Sequence, residues 1–594
     1  MKRKMIALIL SVFMIVAMAP AASFAEADSS DIYAVFEYCK ADFNEYTDDF
    51  GMQADVTTYA DSSVSANNAL ILYVINHCGE YPGTESDQSI IADLLAEGFV
   101  VSVIDYKNNP LAVSPNIESS VQVLRNEMKT GKYIGSCSID EKKTYVVPAG
   151  YRIARNLTYF EISKHSSQEA IDKILDVWNN DATMIKRVSE KGYNLDENGN
   201  WIKADSVYDI VMKDGTKMTD EDMELKLDII YPSKPVSEVP VAVLASSGTP
   251  RSDNSAFVER QHTTGFMFRG YATACYDHEY LPFLNLDMNG WPMINDYTFQ
   301  KYDGVKTHTA AMRCIKYYAD KYKYSDTKIG VYGHSKASWC SLLSNPDSEN
   351  LPENSNTACA PLGEQPFLTD MYGNPINADV TCVYHSMGNG SRRFDKYLTN
   401  QNVPTMIALG QQDTGDGCQY WENEKAAYLK SGIEYLALDM EDIGHNYPNG
   451  DDTVYDYNRY SAFCKFFDYY LKDTAPEILY TSVNDGQLKA IKTTTAQYSA
   501  SDTANHWKVI EGDKLFVQFV APVTEWTFLD AVSLKDSNGN EVAGEWYAEG
   551  NGNRWVFGGK LTEGESYTLS VADNTVKDKY GRVAEKGITA EFVK

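Results

Sequence analysis

Apolar positions along this chain fall into short runs between polar turns, and their spacing changes character three times. Residues 70–75 form one apolar run, 87–97 repeat apolar residues at helical spacing, and 100–105 form a second run, which predicts a βαβ unit. The same order recurs over 239–245, 256–269 and 272–277, with NHCG after the first strand in one copy and SSGT in the other. Two origins fit this recurrence: duplication of a half-domain, or two βαβ units alike because all such units are. A further helix is predicted over 168–179, and the rest of 26–204 carries no clear pattern.

From 207 onward the pattern becomes regular. Two consecutive strands are predicted over 207–218 and 224–233, followed by a buried one over 239–245. Helical spacing then marks 256–269, 305–321, 336–343 and 420–430, alternating with strands at 272–277, 328–332, 403–409 and 434–439. Strands alternating with helices predict the α/β class, with a doubly wound, mostly parallel sheet. An amphipathic helix over 455–471 closes this unit. After Pro476 short alternating strands are separated by turns such as DSNGN (536–540), GNGN (550–553) and KDKYGR (577–582), which predicts a β-sandwich. The expected organisation is a leader over 1–25, an α/β region of unassigned role over 26–204, an α/β domain over 205–475 and an all-β domain over 476–594.

The leader rests on a basic start, an apolar run from Met5 to about Met18, and small residues at Ser23 and Ala25. That is the pattern of a secretory signal peptide, which predicts a secreted, extracellular protein. An uncleaved anchor helix is the alternative, disfavoured by Pro20 and by the shortness of the run. A formal charge of −30 argues against nucleic acid and anionic membrane surfaces as partners, since both reward clustered Lys and Arg. The 10 cysteines show no zinc spacing, and Cys275, Cys340 and Cys464 lie inside apolar patterns as small hydrophobes. No metal or cofactor is expected, and neither disulfide pairing nor oligomeric state is readable.

Chemistry is most legible in IGVYGHSKA (329–337), where a short strand runs through Gly333 and His334 into Ser335, Lys336 and Ala337 and then a helix. A strand-to-helix turn that tight admits only very small residues two positions before and after a serine nucleophile, a demand Gly333 and Ala337 meet. The bare pattern is weak, since an average Gly usage of about 7% gives roughly 0.4 chance matches in a chain this long. The flanking strand and helix raise it. A serine nucleophile also needs an imidazole, an orienting carboxylate and oxyanion donors. VPTMIALGQQD (403–413) is an apolar strand ending in Gly410 and then Asp413, and EYLALDMEDIGH (434–445) is another ending in Gly444 and His445. The order is Ser, Asp, His.

This order, the elbow and the strand scheme resemble the α/β-hydrolase superfamily over roughly residues 205–473. The resemblance implies Ser335 as nucleophile, His445 as general base and Asp413 as its orienting acid, with Asp416 the competing carboxylate. It implies an oxyanion hole built from the backbone N–H of Lys336 and one from the loop after 239–245, at Gly248 or Thr249. His334, inside the elbow, is implied to be structural, and His77, His278, His308 and His385 have no placement that requires catalysis. Two departures stand out: Ala337 replaces the usual second Gly, and SSGT stands where lipases often carry HGGG. The order of strands and turns over the last 100 residues or so resembles the bacterial Ig-like modules of secreted and surface-layer proteins.

The function expected is a secreted serine hydrolase cleaving carboxylic esters through an acyl-enzyme, with a small-molecule or polysaccharide-linked ester as substrate, such as acyl or feruloyl esters. Two alternatives stay open: a peptidase of the prolyl-oligopeptidase kind, although no propeller repeat is visible in 26–204, and a catalytically inactive surface or binding protein. Long segments at 278–304 and 345–400 read as lids or substrate walls, and Tyr280, Phe283, Trp291 and Tyr297 are placed to stack on rings or to pack the first of them onto its own domain. DENGNW and DSNGNE resemble calcium loops only superficially, lacking the terminal bidentate Glu, and are expected to be hairpin turns.

Overall fold

The computed structural model describes residues 37–42, 53–59, 70–75, 90–91, 94–95, 99–105, 144–148, 150–161, 193–195, 201–203, 224–235, 238–245, 266–267, 269–276, 308–350, 366–386, 398–410, 421–440, 453–454, 457–488, 491–496, 507–512 and 514–594. The expected signal peptide and the expected strand over 207–218 lie outside these residues.

Five strands form a first sheet: β1 (Glu37–Asp42), β2 (Gln53–Tyr59), β3 (Leu70–Ile75), β4 (Val100–Asp105) and β5 (Thr144–Pro148), in the order β1-β2-β4-β3-β5. β6 (Tyr151–Glu161) follows, then a small hairpin of β7 (Tyr193–Leu195) and β8 (Trp201–Lys203). The second sheet adds to β6 the strands β9 (Glu224–Pro232), β10 (Val241–Ala245), β11 (Ala272–Tyr276), β12 (Ile329–His334), β13 (Cys382–Ser386), β14 (Thr405–Gly410) and β15 (Tyr435–Met440). Its order is β15-β14-β13-β12-β10-β11-β9-β6. From β15 to β11 every neighbouring pair is parallel, and β9 and β6 are antiparallel additions.

The two sheets share more than a βαβ unit. The first five strands of the second sheet run β6-β9-β11-β10-β12, and the first sheet repeats that order with the same direction at each of its pairings: antiparallel, antiparallel, parallel, parallel. Two generic βαβ units would not also share an antiparallel pair at one edge and a fifth strand at the other, so the match favours duplication of a half-domain. The copies part after the fifth strand. β12 enters the serine turn, whereas β5 passes through Ala149 and Gly150 (φ +81°) directly into β6.

Alternation along the central strands sends side chains to two covered faces. Val241, Val243 and Ala245 of β10 and Ile329 and Val331 of β12 pack with Ala311, Cys314 and Ile315 of helix α1 (308–317). Ala242, Leu244 and Tyr332 point the other way, into a cluster with Tyr428 of α2 (Trp421–Ser431) and Phe463 and Phe467 of α3 (Arg459–Leu471). α3 lies so close to β12 that a Cβ on Gly330 would meet the Phe467 ring at 2.6 Å. Cys275, Cys314, Cys340, Cys382 and Cys464 are buried, as expected for the three that the apolar pattern placed.

Three expectations are corrected. The helix expected over 336–343 is a 3₁₀ segment, Ser335–Ser344, because its four serines and β-compatible Trp and Cys give little α-helical preference. The segment 345–400, expected as one long loop, contains β13 in the middle of the sheet. The expected boundary at 204/205 falls inside the sheet's own strand sequence, since β6 pairs with β9.

The C-terminal region forms two sheets, one with strands Ile478–Thr481, Phe516–Phe519, Arg554–Phe557 and Trp546–Glu549, the other built on Val532–Asp536, Ser566–Val571 and Ile588–Val593. Val517, Phe519, Trp555 and Phe557 of the first enclose a core with Leu534, Leu569 and Phe592 of the second, making a sandwich. DSNGN is a turn: the Asp536 carboxylate takes the N–H groups of Asn538 and Asn540 at 2.8 and 2.9 Å, and Gly539 adopts φ +81°. The alternate residues Phe516, Val520 and Val556 join the α/β cluster, as do Leu479 and Tyr480. Asn553 Nδ2 donates to the Tyr435 carbonyl at 2.6 Å, and Tyr469 Oη donates to Asp578 at 2.8 Å. The sandwich is a third layer on the α/β unit and shares its core.

A chain ending at residue 475 is therefore expected to fold poorly. Exposing several large apolar side chains at ~1.5–3 kcal/mol each approaches the whole stability of a typical domain. The truncated chain should be recovered insoluble or without a cooperative thermal transition. A soluble fragment unfolding at the full-length Tm would contradict this.

Candidate active site

In the parallel part of the second sheet, Ala245, Gly333, His385, Ile407 and Ala437 lie side by side in one row across β10, β12, β13, β14 and β15. β10 ends in that row, β12 and β13 one residue beyond it, and β14 and β15 three residues beyond it, all at one edge. Ser335 follows the last residue of β12 directly and opens the 3₁₀ segment, whose cap residue His334 is extended (φ −106°, ψ 146°). Lys336 is next, in the first turn, where backbone N–H groups have no carbonyl partner within the helix. The Ser335 side chain lies outside what the structure describes, as do Asp413, Asp416, His445, Gly248, Thr249 and the aromatic segment with Tyr280, Phe283, Trp291 and Tyr297.

Their points of departure are described. Asp413 comes three residues after Gly410, the end of β14, and His445 five after Met440, the end of β15. Gly248 and Thr249 come three and four after Ala245, the end of β10, which neighbours β12. At a strand spacing of about 4.8 Å, β14 lies roughly 10 Å and β15 roughly 14 Å from β12. Three extended residues span about 10 Å and five about 17 Å. Both loops are long enough to reach Ser335.

The turn sits on a firm base. Tyr332, Tyr384 and Phe463 form an aromatic triangle with centroids 4.8 to 5.0 Å apart. His334 is 9% exposed with Nδ1 3.4 Å from Ser386 Oγ, which fits the structural role expected for it. On the far side, Tyr276 at the end of β11 is hydrogen-bonded to the buried His308 at the start of α1, tying that helix to the edge. Burial pushes the Tyr276 phenol well above its ordinary range.

Sequence reasoning missed one buried polar cluster under this edge. His385 on β13 has Nε2 3.1 Å from Tyr428 Oη and 3.3 Å from Glu424 Oε1, both on α2. Glu424 and Tyr428 are one helical turn apart and face inward, so a carboxylate on the buried stripe of α2 was the available signal. The geometry is that of an ion pair. Complete burial nevertheless pushes His385 down to about 3, so near neutral pH the imidazole is uncharged, its hydrogen bond is with Tyr428, and the Glu424 contact is not an ion pair. The cluster pins α2 to β13, and α2 begins at the end of the segment 411–420 that carries Asp413.

No family model matches this chain, and no curated protein matches it. Solved structures similar to it include a truncated carbohydrate esterase from gut microbiota, at 16% identity over 42% of this chain and 92% of that one, with a TM-score of 0.30. A thermophilic esterase from the planctomycete Thermogutta terrifontis shares 14% identity over 41% and 87%, with a TM-score of 0.29. An acetyl ester-xyloside bifunctional hydrolase from Caldicellulosiruptor lactoaceticus shares 13% over 41% and 88%, also with a TM-score of 0.29. Likeness at this level does not decide the chemistry of this chain. Among the described residues, no group of His, Cys, Asp and Glu is placed to hold a metal, and no helix is long and apolar enough to cross a membrane.

Removing the His385 imidazole should take the Tyr428 hydroxyl's buried partner away. His385→Ala is expected to cost about 1–3 kcal/mol in urea unfolding, the usual loss when a buried polar group loses its hydrogen-bond partner. The folded-state pKa of His385 lies below its unfolded value of 6.5, so the unfolded chain takes up the proton first as pH falls. This group's contribution is complete above pH 6.5 and is lost as pH drops toward 3. Between pH 7 and pH 5, His385→Gln should lose less stability than the natural chain. Equal losses would contradict the neutral, buried imidazole.

Proposed function

We propose that this chain is a serine hydrolase of the α/β-hydrolase superfamily that cleaves carboxylic esters through an acyl-enzyme intermediate. One observation carries the reading: Ser335, Asp413 and His445 each follow the carboxyl end of a strand in one parallel sheet, at one edge, in the chain order that superfamily uses. The eight-stranded, mostly parallel sheet with helices on both faces supports it.

In this mechanism Ser335 Oγ attacks the ester carbonyl while His445 takes its proton and Asp413 orients the imidazole. The developing oxyanion is met by the backbone N–H of Lys336 and by one from Gly248 or Thr249. Collapse of the tetrahedral intermediate breaks the carbon–oxygen bond to the alcohol, which leaves with the proton from His445. Water, deprotonated by His445, then attacks the acyl-serine and releases the acid. The substrate class that fits an exported enzyme whose sequence carries an aromatic-rich segment after β11 is an acyl or feruloyl ester carried by a polysaccharide.

Ser335→Ala is expected to abolish labelling by a fluorophosphonate probe and to lower turnover of a short activated acyl ester by at least about 10³-fold. A natural chain that folds but neither labels nor turns over the ester would make binding its function instead. Cleavage of an acylated oligosaccharide, measured beside a proline-containing peptide, separates esterase from peptidase.

A further inference from the structure

Opposite the serine edge, the α/β unit and the sandwich enclose a cleft of about 640 Å³, within the roughly 300–1,000 Å³ typical of ligand sites. One wall comes from residues that precede the parallel strands: Thr381 before β13, Pro404 before β14 and Glu434 before β15. The other is the sandwich turn 578–582. A strand of six residues, about 20 Å, separates this edge from that of Ser335.

The charges in the cleft answer one another. Glu434 accepts hydrogen bonds from Lys579 and, at 3.1 Å, from Tyr470 Oη. Arg582 holds Asp578 at 2.6 Å and approaches Asp473 at 3.9 Å. With each cation already facing a carboxylate, neither a free anion nor a free cation finds an uncompensated partner. An apolar ligand would desolvate these ions without replacing their hydrogen bonds. What the walls offer is fixed donors and acceptors, including the exposed amide of Asn400 and the Asp473 carboxylate, 74% exposed.

Among them stands one exposed ring. Tyr580 is 65% exposed, yet its turn is rigidly made. Asp578 Oδ1 takes the N–H groups of Tyr580 and Arg582, both at 2.9 Å, and Gly581 closes the turn at φ +80°. Lys579 and Arg582 each lie 4.9 Å from the ring centroid. An aromatic held in place before the ligand arrives loses little freedom on binding. We propose that this cleft is a binding site for a neutral polyhydroxylated chain, an oligosaccharide, with Tyr580 as its stacking platform and the paired ions as hydrogen-bonding partners for hydroxyl groups.

The proposal does not depend on the hydrolase chemistry, and the probes carry no ester. Xylohexaose, cellohexaose and mannohexaose are titrated at millimolar concentration into the full chain and into Tyr580→Ala and Asp473→Asn, with binding read by saturation-transfer NMR and calorimetry and folding by thermal unfolding. At least one hexasaccharide should bind the natural chain, and Tyr580→Ala, unfolding at the natural temperature, should weaken it by about tenfold or more, ~1.4 kcal/mol. Asp473→Asn should weaken it by a smaller factor. No binding of any of the three, or equal binding by the folded Tyr580→Ala chain, would overturn the proposal.

Discussion

The candidate site depends on β12 being buried on both faces. A parallel strand covered by α1 on one side and α3 on the other must spend its residues on packing, and the close approach of Phe467 leaves room for nothing larger than Gly330 at its second position. That fixes the height and direction of the strand. Ser335 inherits its position from where β12 stops, and the two neighbouring strands, paired in register, stop within one residue of that level.

The same geometry gives the sheet two distinct edges. At the carboxyl edge, loops from neighbouring strands leave side by side and are long enough to converge on one point. At the amino edge the strand starts carry Thr381, Pro404 and Glu434, and there the sandwich closes over α3 to leave the cleft. Strand alternation lets the sandwich serve two cores at once. Val517 and Phe519 face its own interior while Phe516 and Val520 cover the α/β unit. The first sheet, with the same strand order as the first half of the second, lacks the serine turn, because β5 leads into β6 through Ala149 and Gly150 instead of a helix.

Legibility in the sequence followed burial and polarity. β10, β12, β14 and β15 were readable because each opens on a mostly apolar run of at least four residues bounded by Gly or a turn. β13 was not, since Cys382–Ser386 carries a histidine and a serine into the buried sheet. They are tolerated only because Glu424 and Tyr428 meet His385 and His334 meets Ser386, partners from distant parts of the chain. β6 was obscured by Arg152 and Arg155 and by two register shifts against β9. Of the candidate site, the strand ends and the serine turn were legible. The cleft at the opposite edge was not, because its walls come from positions as far apart in the chain as Thr381 and Arg582.

The central claim is that Ser335, Asp413 and His445 meet at the carboxyl edge of one sheet. A crystal structure of the full chain after reaction with an organophosphonate tests it most directly. The account predicts phosphorus bonded to Ser335 Oγ, His445 within hydrogen-bonding distance of that oxygen, Asp413 on the other imidazole nitrogen, and the phosphoryl oxygen facing the N–H groups of Lys336 and of Gly248 or Thr249. A chain left unmodified, or an adduct at Ser335 with His445 on another side of the sheet, would contradict it.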